Sequence, residues 1–368
     1  MVLFNPYSLA TGIGSVPFVD ADEAVRFVRN HFSAMPHWPQ MPNLGMEEHF
    51  IFQFLKPLVD TGLIVEKNKT YVFDRSRTNW PDLLTQFYTI TLAAEEGDTE
   101  AFKHFIPPKN GAKGFHALLD NVQTNGKHTI KYIKGQIVGP LTVGFQLKDE
   151  QGRYAYYQDE LRDVIVRTLA LNARCQASLL SRFDCPVIIF VDEPGVAAYG
   201  SMYHLSLSRQ MIMDDLKVLS NAIHVENAFS GVHSCDAVDW TLLFESDIDI
   251  VSLDAYRHGN SLFYYPSQMK EFFKKGGVVA WGIVPTLDDP FLENLDSLLY
   301  KLEHLIARLM ACGLTRKQIL KQSMITPACG TGLLPFKQAE RIYSLTSLMS
   351  EKIMSMELQP FHYPKNPS

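Results

Sequence analysis

The chain has 368 residues, 46% of them hydrophobic and 20% charged, with a formal net charge of −6. That length holds one large α/β domain or two small ones, and the composition is rich enough to bury a full core. The acidic balance, with no long run of Lys and Arg, excludes a broad nucleic-acid surface, and no apolar run is long enough to span a bilayer.

The N-terminus, Met1-Val2-Leu3-Phe4-Asn5-Pro6, lacks a basic segment followed by an apolar one. It is therefore not read as a secretion signal, and a cytoplasmic protein is expected. A first strand is predicted over residues 9–17 and a helix over 22–32. A short, proline-interrupted second strand is predicted over 36–42. Residues 43–129 break the pattern that follows, with two or three helices and a hairpin-like stretch over 63–73 turning at Lys67-Asn68-Lys69. They read as an insertion at the mouth of the fold. A third strand over 131–140 leads to a long helix over 159–183. The run Val187-Ile188-Ile189-Phe190-Val191 is the clearest strand. Helix and strand then alternate: helix 204–221, strand 229–235, helix 238–245, strand 248–254, helix 266–275, strand 278–284, helix 291–312, strand 323–327 and helix 336–354. Continuous Val/Ile/Leu runs between helices signify parallel strands buried on both faces. Eight of them predict a (β/α)8 TIM barrel over residues 1–357, with a doubly wound open sheet as the competing architecture. Residues 358–368, with Pro360, Pro364 and Pro367, read as a poorly ordered tail.

Five scattered cysteines do not suggest a disulfide framework. Cys175, Cys185 and Cys312 fall within or beside regular elements and read as small buried apolar residues. Cys235 and Cys329 differ because each follows a strand. In a parallel barrel the active site lies at the C-terminal strand ends. Polar and metal-binding types concentrate there: Ser15, Gly139-Pro140-Leu141-Thr142, Asp192-Glu193-Pro194, His233 and Cys235, Asp254, the stretch 281–286, and Cys329-Gly330. His233 and Cys235 are two apart, so on a strand both side chains turn to one side and can grip one ion. With Cys329 they form an imidazole–dithiolate set suited to Zn2+, and Asp254 is a weak fourth ligand or a partner of the ligands. The competing reading makes His233 a hydrogen-bonded core histidine and both cysteines buried thiols.

Two adjacent carboxylates at the end of an apolar strand are costly without partners. Asp192 is read as binding a substrate ammonium. The alternative is that Asp192 or Glu193 caps the next helix or pairs with an Arg. Thr11-Gly12-Ile13-Gly14-Ser15 lacks the spacing of a dinucleotide or phosphate-binding loop. Its backbone N–H groups can hold a small carboxylate, or it is simply a tight turn. Aromatic stretches such as Phe263-Tyr264-Tyr265 read as packing or mouth-lining residues.

In this order, Ile13-Gly14-Ser15, Gly139-Pro140-Leu141-Thr142, Asp192-Glu193-Pro194, His233-Ser234-Cys235, Asp254 and Cys329-Gly330 resemble the catalytic barrel of cobalamin-independent methionine synthase. That family lies in a wider group with corrinoid-dependent methyltransferases and uroporphyrinogen decarboxylase. The resemblance implies that His233, Cys235 and Cys329 bind zinc, with Asp254 standing where the family has a glutamate. It implies that Ile13, Gly14 and Ser15 hold an amino-acid carboxylate and Asp192 its ammonium, and that Glu47 or Glu48 matches a second glutamate touching the amino acid. Two departures stand out. The chain has no room for the second, N-terminal barrel of the full-length family. It also carries Trp281-Gly282-Ile283-Val284-Pro285-Thr286 where the family has a histidine. Both point away from a folate donor and toward a methylcorrinoid protein as partner. The expected activity is methyl transfer to a small-molecule thiol, homocysteine first, with no nucleic-acid or membrane partner. Competing readings are uroporphyrinogen-decarboxylase-like chemistry, methylation of another thiol such as coenzyme M, and a non-catalytic barrel with structural zinc.

Overall fold

A computed structural model describes residues 4–67 and 70–357. The predicted tail, and Asn68 and Lys69 of the hairpin turn, lie outside the described residues. Seven parallel strands form one curled sheet: β1 (Leu9–Ala10), β4 (Ile133–Val138), β5 (Val187–Asp192), β6 (Phe229–Ser234), β7 (Ile250–Leu253), β8 (Val278–Val284) and β9 (Ser323–Pro327). Their order in the sheet is β1-β9-β8-β7-β6-β5-β4. An antiparallel hairpin, β2 (Ile64–Lys67) with β3 (Thr70–Phe73), stands apart from it. The arrangement is TIM-barrel-like.

The two sides of the sheet bury different residues. Ile188 and Phe190 of β5 join Leu9, Ile250, Val278, Ala280 and Met324 in one inner cluster, with Phe4 and Met35 at its base. Val187, Ile189 and Val191 face outward into the larger core that the helices cover. Side chains alternate across a strand, so a strand with apolar residues at every position has both faces buried. This is the physical content of the Val/Ile/Leu runs.

The second predicted strand is reduced to isolated bridges. Trp38 N donates to Lys134 O of β4 at 2.9 Å, and Gln40 N donates to Gly14 O at 3.1 Å. Residues 36–40 thus lie between the two edges of the sheet. Pro36, Pro39 and Pro42 have no N–H to give a ladder, so no regular strand forms. The first strand is also shorter than predicted. Beyond Ala10 the chain bends through Gly12, where a Cβ would meet His37 Nε2 at 2.3 Å.

Residues 43–129 carry the hairpin, three 3₁₀ turns and the helices α2 (Lys56–Asp60), α3 (Trp80–Glu95), α4 (Thr99–Lys103) and α5 (Lys113–Asn125). The first helix of the chain, α1 (Ala21–His31), opens with Asp20 accepting from Glu23 N at 2.8 Å. After β4 come α6 (Pro140–Gln146) and the long α7 (Asp159–Ser181). The helix predicted from residue 204 begins later, as α8 (Arg209–His224), because Ser208 supplies its cap. The helix predicted over 238–245 shrinks to α9 (Thr241–Phe244), since the Asp239 carboxylate holds Thr241 N and Oγ1 in a turn. The remaining helices are α10 (Ala255–His258), α11 (Pro266–Lys274), α12 (Leu295–Ala311), α13 (Arg316–Lys321) and α14 (Phe336–Glu357). No described helix is long and apolar enough to cross a membrane.

Candidate metal centre

Strand β6 delivers His233 one residue before its end and Cys235 just past it. The β6–β7 register sets His233 opposite Ser252, and His233 Nδ1 lies 2.9 Å from Ser252 Oγ. That contact leaves Nε2 for the site, where it lies 3.1 Å from Cys235 Sγ. Cys329 arrives after β9, its sulfur 3.0 Å from that of Cys235. One ligand atom from each of His233, Cys235 and Cys329 lies within 4.8 Å of the others. The three groups therefore fit a single ion. The donor set is that of open Cys2His zinc sites, and an imidazole fixed through its far nitrogen is the usual support for such a ligand. Ser252 supplies that support, and sequence reasoning missed it. Its signal was a serine inside an apolar strand, opposite the histidine. Each sulfur shifts the other: Cys329 and burial push the Cys235 thiol up, while Cys235 and then His233 hold the Cys329 thiol low.

The Cys329 loop is stitched to the Gly-rich turn after β1. Thr331 N and Oγ1 donate to Ser15 O at 2.9 and 3.0 Å, and Gly332 N donates to Ser15 Oγ at 3.1 Å. A Cβ on Gly330 would sit 2.2 Å from Ser15 Oγ, so a side chain there would displace the Ser15 hydroxyl that holds the loop. Ser15 is thus joined to the cysteine loop, Gly14 O accepts from Gln40 N, and Ile13 O accepts from Lys134 Nζ at 2.6 Å.

Asp192 ends β5 opposite His233. Its charge is felt by His233, Cys235 and Cys329. Its Oδ1 is buried without a hydrogen-bond partner, although the residue as a whole is partly exposed. Desolvation pushes this carboxyl up, against the pull of His233 and Lys134. The two adjacent carboxylates divide cleanly. Glu193 is fully buried and caps no following helix; it reaches back to the start of α6, accepting from Leu141 N at 2.8 Å, Thr142 N at 2.9 Å and Thr142 Oγ1 at 2.5 Å. Burial raises its carboxyl to about 7.

The other predicted residues are used differently. Asp254 does not join the three metal-binding groups; it is buried and accepts from Arg257 N at 2.9 Å as the cap of α10. Glu47 is exposed. Glu48 is buried, with Oε1 accepting from Lys113 N at 2.8 Å at the start of α5 and Oε2 buried without a partner. Polar residues are also buried on the strands themselves, beyond those that the sequence places at the strand ends. Lys134, Gln136, Ser252 and Thr326 are all buried on sheet strands. Lys134 is the unexpected one. It is completely buried, and its signal was a Lys and a Gln two apart in an otherwise apolar strand.

No protein-family model matches the chain, and no curated protein matches it. Among solved structures, the fold is similar to a B12-independent methionine synthase from Shewanella sp. W3-18-1, determined in complex with selenomethionine. Identity there is 14% and the TM-score 0.53, over 95% of this chain and 99% of that one. A Listeria monocytogenes protein described as a candidate vitamin-B12-independent methionine synthase is similar at 12% identity and a TM-score of 0.53, over 96% and 98% of the two chains. At such identities the likeness carries the fold alone. It extends over nearly the whole of each neighbour, so this chain is similar to single units of its own size.

Proposed function

We propose that this chain is a zinc-dependent methyltransferase that methylates a thiol, with homocysteine the acceptor and a methylcorrinoid protein the donor. The observation that carries the reading is the convergence of His233, Cys235 and Cys329 at the C-terminal end of a parallel sheet, where barrel enzymes place their chemistry. Part of the same reading is that residues 36–40 act as the eighth stave of one barrel domain and residues 43–129 as an insertion at its mouth.

The residues have distinct tasks. His233, Cys235 and Cys329 would hold the zinc, with Ser252 fixing the imidazole. Zinc bound there supplies a Lewis acid that keeps a substrate thiol in its reactive thiolate form at neutral pH. The unpartnered Oδ1 of Asp192 receives the substrate ammonium. The turn at Ile13, Gly14 and Ser15, tied to the Cys329 loop, receives the carboxylate, and Glu48 Oε2 is free for a further polar contact. Held in this way, the sulfur attacks the methyl carbon in line, the methyl–carrier bond breaks, and the thiol proton leaves to solvent. The stretch 281–286 offers no histidine as an acid for a folate leaving group. A folate donor is the second reading, because both similar structures carry B12-independence in their names.

Protein purified without chelators is assayed for zinc, then for methyl transfer to homocysteine from methylcobalamin and, in parallel, from methyltetrahydrofolate. About one zinc per chain is expected, with turnover from methylcobalamin. Cys235→Ser should lose both zinc and turnover. Undiminished transfer by a zinc-free Cys235→Ser protein would refute the reading.

A further inference from the structure

Lys134 is the one completely buried lysine among the described residues. Its ammonium donates to Ile13 O at 2.6 Å and Gln136 Oε1 at 3.2 Å, and stands 4.4 Å from the centroid of the Phe190 ring. An ammonium out of water is costly unless it is paired. The opposite charge acting on it is that of Asp192. Asp192 in turn has a buried oxygen with no hydrogen-bond partner. Lys134 therefore touches the turn assigned to the substrate carboxylate, and its charge acts on the carboxylate assigned to the substrate ammonium. Gln136 extends the same hold, donating to Trp38 O at 2.9 Å beneath the residue 36–40 segment. A lysine that served packing alone would not sit at the junction of both halves of one recognition site.

The geometry points to Lys134 as a positioning residue for amino-acid recognition, fixing the Ile13 carbonyl and compensating the Asp192 carboxylate from beneath. This rests on the proposed homocysteine reading. Lys134 touches no reacting atom. It acts through Ile13 and Asp192, so its loss should weaken binding of the amino-acid part of the substrate and leave the sulfur end alone.

The test uses the zinc-loaded full chain and calorimetric titration with homocysteine and with 2-mercaptoethanol, a thiol with neither ammonium nor carboxylate. Lys134→Met, with zinc content checked, should weaken homocysteine binding by about tenfold or more, because the buried Ile13 carbonyl loses its donor, and leave 2-mercaptoethanol binding unchanged. Asp192→Asn should show the same selective loss, and the double variant less than the sum of the two. If wild type does not prefer homocysteine to 2-mercaptoethanol, the amino-acid reading falls and this inference with it. If wild type has the preference and Lys134→Met keeps it, the inference alone falls. Equal weakening of both ligands in Lys134→Met assigns Lys134 a general structural role and also overturns it. Should Lys134→Met not fold, Lys134→Leu, which likewise has no donor for Ile13 O, is judged by the same criteria.

Discussion

Glu193 and Gly139 occupy each other's space. A Cβ on Gly139 would lie 2.1 Å from Glu193 Oε2, and that carboxylate satisfies two backbone N–H groups at the start of α6. Removing the acceptor leaves those donors buried and unpaired, so Glu193→Ala should cost about 2 kcal/mol in denaturant unfolding. Gly139→Ala should cost about as much through overpacking. Because both changes act on one contact, the double variant should be less destabilised than the sum; strict additivity would refute the contact. Much of the site was legible at this scale. His233 and Cys235 stand two apart, and strand geometry turns both to one side. Cys329-Gly330 was legible as a strand-end pair, although the reason for the glycine, the Ser15 hydroxyl against it, lies more than three hundred residues away in sequence. The partners of Asp192 and Glu193 were not legible, because both are plausible acceptors for the next helix and only the fold shows Glu193 reaching back to Leu141 and Thr142 of α6, a helix that precedes its own strand. The burial of Lys134 is only faintly legible, in a Lys and a Gln two apart on an apolar strand, because a lysine in a strand ordinarily faces solvent and its place against Phe190 depends on the neighbouring strand.

The base of the sheet holds an element-scale clamp that sequence reasoning did not anticipate. His224 ends α8, and its Nε2 lies 2.8 Å from Asp249 Oδ2 just before β7. The same carboxylate oxygen accepts from Ser230 N of β6 at 2.8 Å. One aspartate thus ties a helix end to a neighbouring strand. The hydrogen bond to Asp249 raises the His224 imidazole above its ordinary 6.5. A raised histidine contributes stability that is complete below the unfolded value and is lost as pH rises through the folded one. His224→Gln should therefore cost at most about 1 kcal/mol below pH 6.5, the pair being partly in water. The difference from wild type should vanish at alkaline pH. Unfolding free energies of the two proteins across that range check the sign, and a gap that widens with pH would contradict it. Elements were legible where one force dominated. Runs such as that of β5 could only be buried strands. The segment at 36–40 resisted because its prolines remove ladder donors while its bonds to Lys134 and Gly14 keep it between the sheet edges, a compromise that depends on partners far apart in the sequence.

At the scale of the whole molecule, the alternation of strands and helices was enough to read a parallel α/β sheet. Its curl was legible only from the number of repeats, eight strand–helix units favouring a closed barrel over an open sheet. The same layout predicts a link between the site and global stability. Cys235 follows β6 and Cys329 follows β9, with β7 and β8 between them in the sheet. An ion held by all three ligands would cross-connect strand ends that otherwise touch only through the two cysteine sulfurs, and the loop of Cys329 carries that connection on to the turn at Ser15. Unfolding scatters these ligands, so metal affinity for the native state adds directly to its stability, by about 4 kcal/mol at a thousandfold excess of free metal over Kd. Zinc-loaded protein should therefore melt well above protein stripped by a chelator under reducing conditions, and readdition of zinc should restore the higher Tm. Cys235→Ser, tested in the same way, should melt near the stripped wild type and gain little from zinc. A wild-type Tm indifferent to chelation and readdition would show that the three groups hold no metal in solution, leaving His233 as a histidine anchored to Ser252 beside two buried thiols.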